Sequence, residues 1–289
     1  MMELRAHAKI NLHLHSTRRR DDGYHELRTV FCHLDLHDKV FIEPLDGRVE
    51  LLSDTRLSVE QDLAGRAALA LRQALGRPEL GCRIRVHKTI PAGGGLGGGS
   101  ADAAAVLRGL AKLWQADEAT LFKVASELGA DVPFLLDGGL ALARGKGEIL
   151  VPLRTSMAPL SLILLFPGHP VSTPTAFSWM DEDGLDHDEE GPGKLKTLLG
   201  ALGGSEPGAV IQSVYNAFDG CVSRRQPRVA AAMQAAKAAG LTPLLCGSGS
   251  TVAAFGEGDF EHRGLREFNP QRASLAGFSG AVSSCGTKR

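Results

Sequence analysis

The segment 91–105 carries six glycines within seven positions, 93–99, and runs directly into an alanine-rich stretch. A loop with almost no side chains lets its backbone N–H groups approach a ligand closely, and positive φ angles cost little there. Ser100 is the expected N-cap of a helix that continues from Ala101 through Leu110. Free N–H groups and the helix dipole both favour an anion at such a helix start. The segment therefore predicts an anion site, and the expected anion is a nucleotide triphosphate.

A flexible linker is the alternative interpretation of this glycine run. Such linkers are usually rich in serine and join polar segments. Here the run follows an alternating, strand-like segment at residues 82–87 and leads into an amphipathic helix. It matches neither GxxxxGK[ST] nor GxGxxG with a later acidic residue. The pattern thus favours a phosphate-binding loop that is neither an ordinary P-loop nor a Rossmann fingerprint.

The whole chain limits the classes of function. Its 289 residues can form one large domain or two ordinary ones, and its net charge of −1 gives no general attraction to nucleic acid or acidic membranes. Five scattered cysteines without a CxxC pair indicate reduced thiols and a cytoplasmic protein. The N-terminus shows no hydrophobic signal region, and the apolar stretch 160–166 is too short to span a bilayer.

Residues 6–15 alternate between apolar and polar side chains, which predicts a strand. Its polar face places Lys9 and Asn11 side by side and continues with His13 and His15. A solvent-facing strand is the usual environment of such a lysine. The two histidines are a weak metal signal and receive no role.

Turn and cap signals predict the elements around the glycine run. Asp46-Gly47 predicts a β-hairpin of residues 40–43 and 49–52. Ser58 to Gln61 has the form of a capping box and predicts a helix that ends at Gly76.

The remaining elements are spaced along the rest of the chain. The acidic segment 181–190 is expected to be a solvated surface loop, and no element is predicted for residues 256–289. The other predictions are a helix at 118–128, a strand at 160–166, a helix at 227–239 and a glycine turn at 246–251 between two short apolar runs.

Three segments together resemble the GHMP kinases: the strand with Lys9 and Asn11, the segment Pro91–Ala105, and Gly247-Ser248-Gly249. The match narrows, within that family, to kinases whose substrate carries a cytidine diphosphate and a methylerythritol moiety. The segments that carry the narrower match are Ala8–Leu12, Asp22–Leu27, the GGGLGGGS loop, Gly129–Phe134 and Pro174-Thr175.

The resemblance implies an α+β fold of two domains. A ribosomal-S5-like, ATP-binding domain is expected over residues 1–152, and a ferredoxin-like α/β sandwich domain over residues 153–289. It also implies transfer of the γ-phosphoryl group of ATP to a hydroxyl of the methylerythritol moiety, with Mg²⁺ present and no protein ligand predicted for the metal. In-line phosphoryl transfer depends on positioning and charge neutralisation more than on covalent chemistry.

Roles for individual residues follow from the resemblance. Asp131 is expected to accept or orient the proton of the attacking hydroxyl, and Lys9 to pair with Asp131. The structural alternative for Asp131 is a helix start ahead of Pro133. The expected ATP-binding residues are Lys88, Pro91, Ala92, Gly93, Gly94, Gly95, Leu96, Gly97, Gly98, Gly99, Ser100 and Ala101.

The acceptor side is expected to hold the cytidine. Tyr24 offers a stacking surface and His25 a hydrogen-bonding edge. Trp179 is the expected second stacking ring, with Phe177 as the rival candidate, because spacing does not decide between them. The expected substrate-binding residues are Asn11, Tyr24, His25, Thr175, Trp179, Gly247, Ser248 and Gly249.

The chain departs from the family pattern in its second half. Ser250 stands where proline is usual, Asn216-Ala217-Phe218 replaces Asn-Asp-Leu, and residues 268–289 lack the expected closing helix and strand. Three other functions stay open: another GHMP kinase acting on mevalonate or homoserine, a nucleotide-binding protein without catalysis, and an RNA-binding domain, which the near-neutral charge disfavours. A monomer or weak homodimer is expected.

Overall fold

The computed structural model describes residues 1–155, 160–184, 190–204 and 206–276. The strands are β1 Met2–Arg19, β2 His25–Asp46, β3 Val49–Ser53, β4 Leu80–His87, β5 Leu140–Gly145, β6 Ile149–Pro152, β7 Ser161–Leu165, β8 Tyr215–Asn216, β9 Thr242–Leu245, β10 Val252–Phe255 and β11 Gln271–Ser274. The helices are α1 Leu63–Ala74, α2 Gly98–Trp114, α3 Glu118–Leu128, α4 Val132–Asp137, α5 Thr173–Glu182, α6 Glu190–Leu202, α7 Pro207–Ser213, α8 Phe218–Arg225, α9 Pro227–Ala238 and α10 Arg263–Arg266.

Two sheets organise the described part of the chain. The first has seven strands, in the order β3-β4-β2-β1-β8, with β5 pairing with β2 and β6 with β5. The second has four antiparallel strands, in the order β11-β7-β10-β9. The predicted α+β class is confirmed. The boundary between residues 152 and 153 stays a prediction, and β8 from the second half joins the first sheet beside β1.

The hairpin predicted around Asp46-Gly47 is wrong. Strand β3 pairs in parallel with β4, and β2 pairs antiparallel with the opposite edge of β4, so that β4 lies between the two predicted partners. The turn at Asp46-Gly47 crosses over the start of β4. There the carbonyl of Arg48 accepts a hydrogen bond from the Cys82 N–H at 2.9 Å. A Cβ at Gly81 would lie 2.3 Å from that carbonyl oxygen, so the crossing requires glycine there.

The starts of two helices differ from the predictions. Asp62, rather than Ser58, is the N-cap of α1 and accepts from the Ala64 N–H at 2.9 Å. The Gln61 side chain accepts from the Ser58 N–H at 3.3 Å, so half of a capping box forms one turn ahead of the helix. Helix α2 begins at Gly98 with Gly97 as N-cap at φ 72°, because glycine accommodates the left-handed region, and Ser100 lies inside its first turn.

Most other elements appear where they were predicted, including α3, α9, β7 and the glycine turn between β9 and β10. The stretch with no predicted element contains α10 and β11, and β11 pairs with β7. Residues 277–289, part of the expected closing segment, lie outside the described residues. No helix in the described ranges is long and apolar enough to cross a bilayer.

Strand β1 is buried on both faces. Ala8, Ile10 and Leu12 have no exposed surface and belong to the main core. The opposite face, Lys9 and Asn11 among others, is also buried. The solvent-facing interpretation of this strand is therefore wrong, because β1 is an inner strand covered on its polar face as well.

Two histidines, the buried His13 and the half-buried His33, make the stability of the fold depend on pH. Burial lowers the pKa of both His13 and His33 to about 3. Both are therefore neutral when folded and protonate near pH 6.5 when unfolded, so stability is present above pH 6.5 and falls below it. Below pH 6.5, each histidine should lower the free energy of unfolding by up to about 1.4 kcal/mol for every unit by which the pH falls. Urea unfolding at pH 7, 6 and 5 should show His33→Gln losing less stability than wild type, and parallel losses would contradict this. His169→Gln, at an exposed position, is the matched control.

Candidate active site

One cavity of about 1560 Å³ lies beside the polar face of β1. Its lining contains most of the predicted site residues: Lys9, Asn11, Tyr24, His25, Lys88, Pro91, Ala92, Gly93, Gly94, Gly95, Leu96, Gly97, Gly98, Gly99, Ser100, Asp131, Gly247 and Ser248. Four predicted residues do not line it: Ala101, Thr175, Trp179 and Gly249. Ala101 is buried in the first turn of α2, and Thr175 is exposed on α5.

A buried chain of polar groups crosses one end of the cavity. The Lys9 ammonium lies 3.4 Å from the Asp131 carboxylate and donates to Asn11 Oδ1 at 2.8 Å. The Asn11 amide donates to Thr29 Oγ1 at 2.7 Å, and that hydroxyl donates to the His13 carbonyl at 2.6 Å. Each of these side chains is thus held by a hydrogen bond to the next group. This network fixes the Lys9 ammonium opposite the Asp131 carboxylate.

Asp131 stands both at a helix start and on the cavity. It is the N-cap of α4, and Pro133 lies in the first turn, as the structural alternative predicted. Its side chain makes no capping hydrogen bond, however, and faces Lys9 instead. The two interpretations are therefore compatible, and the carboxylate is free to meet a ligand.

The glycine loop is hydrogen-bonded to β1 and to the second glycine turn. The Lys9 N–H donates to the Leu96 carbonyl at 3.0 Å, and the Thr251 N–H donates to the Gly94 carbonyl at 3.2 Å. A Cβ at Gly95 would lie 1.8 Å from the Cys246 carbonyl oxygen, and Gly95 has φ +78°. Only glycine permits this contact between the two turns.

Asn216 shapes the second glycine turn. Its side-chain amide donates to the carbonyls of Leu245 and Gly247, both at 2.8 Å, and its Oδ1 accepts from the Phe218 N–H at 3.0 Å. Ser248 contacts the Thr173 hydroxyl at 3.2 Å. The replacement of Asn-Asp-Leu by Asn-Ala-Phe thus keeps the asparagine that holds the turn, and Phe218 lines the cavity.

Lys88 bridges two carboxylates, Asp38 and Asp102, that are absent from the predicted site residues. Its ammonium lies 2.5 Å from Asp38 and 2.5 Å from Asp102. Burial lowers the pKa of Lys88, but the two carboxylates outweigh it and raise that pKa overall. Burial raises the pKa of Asp102 to about 7, with Lys88 opposing the rise and Asp38 adding to it. Asp102 follows the glycine loop two residues after Ser100, and this position could have marked it as a site residue. Nothing in the sequence around Asp38 indicates such a role.

The far end of the cavity holds an aromatic and acidic group. His25 Nε2–H donates to Asp181 Oδ1 at 2.6 Å. The Phe177 ring stacks on His25 with centroids 4.4 Å apart and an interplanar angle of 13°. Tyr24 is 57% exposed at the cavity edge, and the Lys146 ammonium lies 4.0 Å from its ring centroid.

Phe177, and not Trp179, faces this group. Trp179 packs near the Arg225 guanidinium, 5.7 Å from the ring centroid, and does not line the cavity. Two residues on a helix separated by two positions point about 200° apart, so only one of them can face the cavity.

Asp181 corrects the interpretation of the acidic segment as a solvated loop. It belongs to α5, four residues after Phe177, and that spacing puts both on the face toward His25. Glu190, at the other end of the segment, is the first residue of α6, and residues 185–189 lie outside the described ranges.

Comparisons with known proteins agree with this architecture. The family profile described as "GHMP kinases N terminal domain" matches residues 62–139. A "4-diphosphocytidyl-2-C-methyl-D-erythritol kinase" of Symbiobacterium thermophilum is 38% identical over 256 residues, which cover 87% of this chain and 89% of that protein. A protein of the same name from Thermus thermophilus is 39% identical over 259 residues, covering 89% of this chain and 88% of that protein.

Solved structures similar to this one include a kinase of the same name. A crystal structure of "4-(cytidine 5'-diphospho)-2C-methyl-D-erythritol kinase" has a TM-score of 0.79 and 38% identity, covering 95% of this chain and 99% of that one. A mevalonate kinase with a TM-score of 0.71 is 12% identical, with 95% and 99% covered, and shows the fold alone. The chain therefore belongs to the GHMP kinases, in the family of the 4-diphosphocytidyl-2-C-methyl-D-erythritol kinases.

Proposed function

We propose that this protein transfers the γ-phosphoryl group of ATP to the 2-hydroxyl of 4-diphosphocytidyl-2-C-methyl-D-erythritol. The observation that carries the proposal is the Lys9–Asp131 pair, 3.4 Å apart, in the same cavity as the glycine loop. Relatives at 38% and 39% identity bear the name of this kinase. An ion pair beside an anion-binding loop suits the transfer of a phosphoryl group to a hydroxyl.

Asp131 accepts the proton of the attacking hydroxyl in this mechanism. Its carboxylate is free of capping bonds and open to the cavity. Lys9 stabilises the ionised form of Asp131 and offsets negative charge that develops on the hydroxyl oxygen and the γ-phosphoryl group. Asn11, which accepts from Lys9, fixes the ammonium in place.

The phosphates lie against the glycine loop. The segment 91–97 lines the cavity, and its backbone N–H groups are the donors proposed for the phosphates. The N-terminal end of α2 adds the positive end of its dipole. The loop thus orients the γ-phosphoryl group toward the pair formed by Lys9 and Asp131.

Mg²⁺ fits this site as a companion of the nucleotide. Hard oxygen donors of Asp131 and Ser100 line the cavity, and the described ranges hold no group of three or more residues that could bind a metal without ATP. When bound with ATP, Mg²⁺ neutralises part of the charge on the phosphates. The phosphates and water would supply most of its ligands.

The cytidine lies at the far end of the cavity. Asp181 is an acceptor, so it holds His25 in the tautomer with the proton on Nε2. In the described part of the chain no group hydrogen-bonds His25 Nδ1, which is left as an acceptor. The exocyclic amino group of cytosine donates, whereas uracil has a carbonyl there, so this tautomer favours cytosine.

ADP release with Mg-ATP and 4-diphosphocytidyl-2-C-methyl-D-erythritol tests the proposal. We expect turnover with this acceptor, with none from mevalonate or homoserine. Cytidine diphosphate should compete with the acceptor, and uridine diphosphate should compete much more weakly. A folded protein that binds ATP yet releases no ADP with this acceptor would contradict the proposal.

Replacing Phe177 with alanine should raise the KM for the acceptor, while the KM for ATP stays within twofold. Stacking of a base on an aromatic ring is worth about 1–3 kcal/mol, so a rise of about fivefold to 150-fold is expected. Trp179→Ala is the matched control, because this ring lies outside the cavity on the same helix. Equal effects of the two substitutions in steady-state kinetics would refute the assignment.

The cytoplasmic location and the monomeric or weakly dimeric state belong to the proposal as well. Fractionation of cells and sedimentation of the purified protein test them directly.

A further inference from the structure

Two ends of the glycine loop meet beside one buried cluster. The first end is Ile90, just before the loop, and the second is the first turn of α2. A Cβ at Gly98 would lie 3.0 Å from the Ile90 side chain, so the two ends are in close contact. The shape of the loop between them depends on what fixes both ends.

Asp38 fixes the first end. It lies on β2 and is fully buried. Its Oδ1 accepts from the backbone N–H groups of Thr89 and Ile90, the latter at 2.8 Å. Its Oδ2 accepts from the Lys88 ammonium at 2.5 Å. A single carboxylate thus binds three successive residues that lead into the loop.

Asp102 fixes the second end through the same lysine. It lies at the start of the second turn of α2, and its Oδ2 accepts from the Lys88 ammonium at 2.5 Å. The lysine is held by two carboxylates and connects the strand side of the loop to the helix side. We propose that Asp38, Lys88 and Asp102 form a clamp that holds the glycine loop in its phosphate-binding shape, with Asp38 and Asp102 as positioning residues. This inference rests on the proposed ATP-dependent function.

The charge of Lys88 is matched within the clamp. Its ammonium lies 2.5 Å from each of two carboxylates, those of Asp38 and Asp102. The clamp therefore acts on ATP through the shape of the loop rather than by adding positive charge beside the phosphates. Asp62, at the start of α1, turns its carboxylate toward Ala64 and Thr55 and takes no part in the clamp.

Direct binding of a fluorescent ATP analogue with Mg²⁺, without acceptor, tests the clamp. Asp38→Asn should raise the Kd at least about tenfold, which corresponds to about 1.4 kcal/mol. The reason is that one amide oxygen cannot replace the two carboxylate oxygens that accept from Lys88 and from the backbone N–H groups. Asp102→Ala removes the helix-side acceptor of Lys88 and should also raise the Kd, whereas Asp102→Asn keeps one acceptor oxygen and should raise it less.

Steady-state kinetics separates positioning from loss of structure. Asp38→Asn should raise the KM for ATP and leave the KM for the acceptor within twofold. Asp117→Ala, which removes the N-cap of α3 far from the clamp, should lower the Tm without changing the Kd. If Asp38→Asn does not fold, Lys88→Gln gives the same test, because it removes the bridge and keeps the backbone bonds of Asp38.

Two results would overturn the clamp: a folded Asp38→Asn or Lys88→Gln with wild-type Kd, or a folded Asp102→Ala with wild-type Kd. Absence of ATP binding by wild type would overturn the proposed function instead.

Discussion

Replacing Asp131 with asparagine is expected to lower kcat by about 10²- to 10⁴-fold, the usual contribution of a positioned general base. The amide keeps the shape and a hydrogen-bonding oxygen, but it cannot accept the hydroxyl proton. It also leaves the buried Lys9 ammonium without its counter-charge at 3.4 Å. The KM values for ATP and acceptor should change less than threefold, because the interaction lost belongs to the transition state.

Asp137→Asn is the matched control for this prediction. It lies at the other end of the same short helix and does not line the cavity. Single-turnover and steady-state measurements, with thermal unfolding of each variant, compare the two. Turnover of Asp131→Asn within a factor of five of Asp137→Asn would show that the carboxylate is not the base.

Replacing Gly95 with alanine is expected to raise the KM for ATP by about 100-fold or more. The new Cβ would lie 1.8 Å from the Cys246 carbonyl oxygen, a backbone atom that cannot yield without moving the second glycine turn. Gly95 also has φ +78°, where alanine is strained by about 1–2 kcal/mol. The clash of the new Cβ with the carbonyl oxygen adds about 1–3 kcal/mol. Strain and clash together cost about 3 kcal/mol, which corresponds to the expected rise in KM of about 100-fold or more.

Gly193→Ala is the control for this effect. Gly193 lies in α6, does not line the cavity, and its Cβ would meet no atom within 4 Å. Alanine also favours helix, so this variant should keep the wild-type KM and Tm. Nucleotide binding and thermal unfolding of both variants decide the matter, and equal behaviour would show that the contact between the two turns is dispensable.

Features of the fold that depend on neighbouring residues could be predicted from the sequence. The period of two along residues 6–15 indicated a strand with Lys9 beside Asn11, because side chains on a strand alternate between its faces. The glycine run indicated a loop that leads into a helix. The pairing of Asp131 with Lys9 came from the family resemblance, since their separation along the chain carries no geometric information.

Long-range arrangement was the part that could not be predicted. The pairing of β3 with β4 depends on which strand inserts between two neighbours, and a turn motif does not encode this. The face of α5 that meets His25 depends on how that helix docks, so spacing could not choose between Phe177 and Trp179. Asp38 was missed because a carboxylate in a strand shows its role only once residues 88–90 fold against it.

The two faces of strand β1 limit which substitutions this site can accept during evolution. Its polar face carries Lys9 and Asn11, and its other face is the centre of the main core. A new side chain on this strand must therefore pass selection for folding before selection on chemistry can act. Tyr24 and α5 border the cavity from its edge, where change costs less stability. Divergence of acceptor preference on this scaffold is expected to proceed through those edge residues while the strand stays the same.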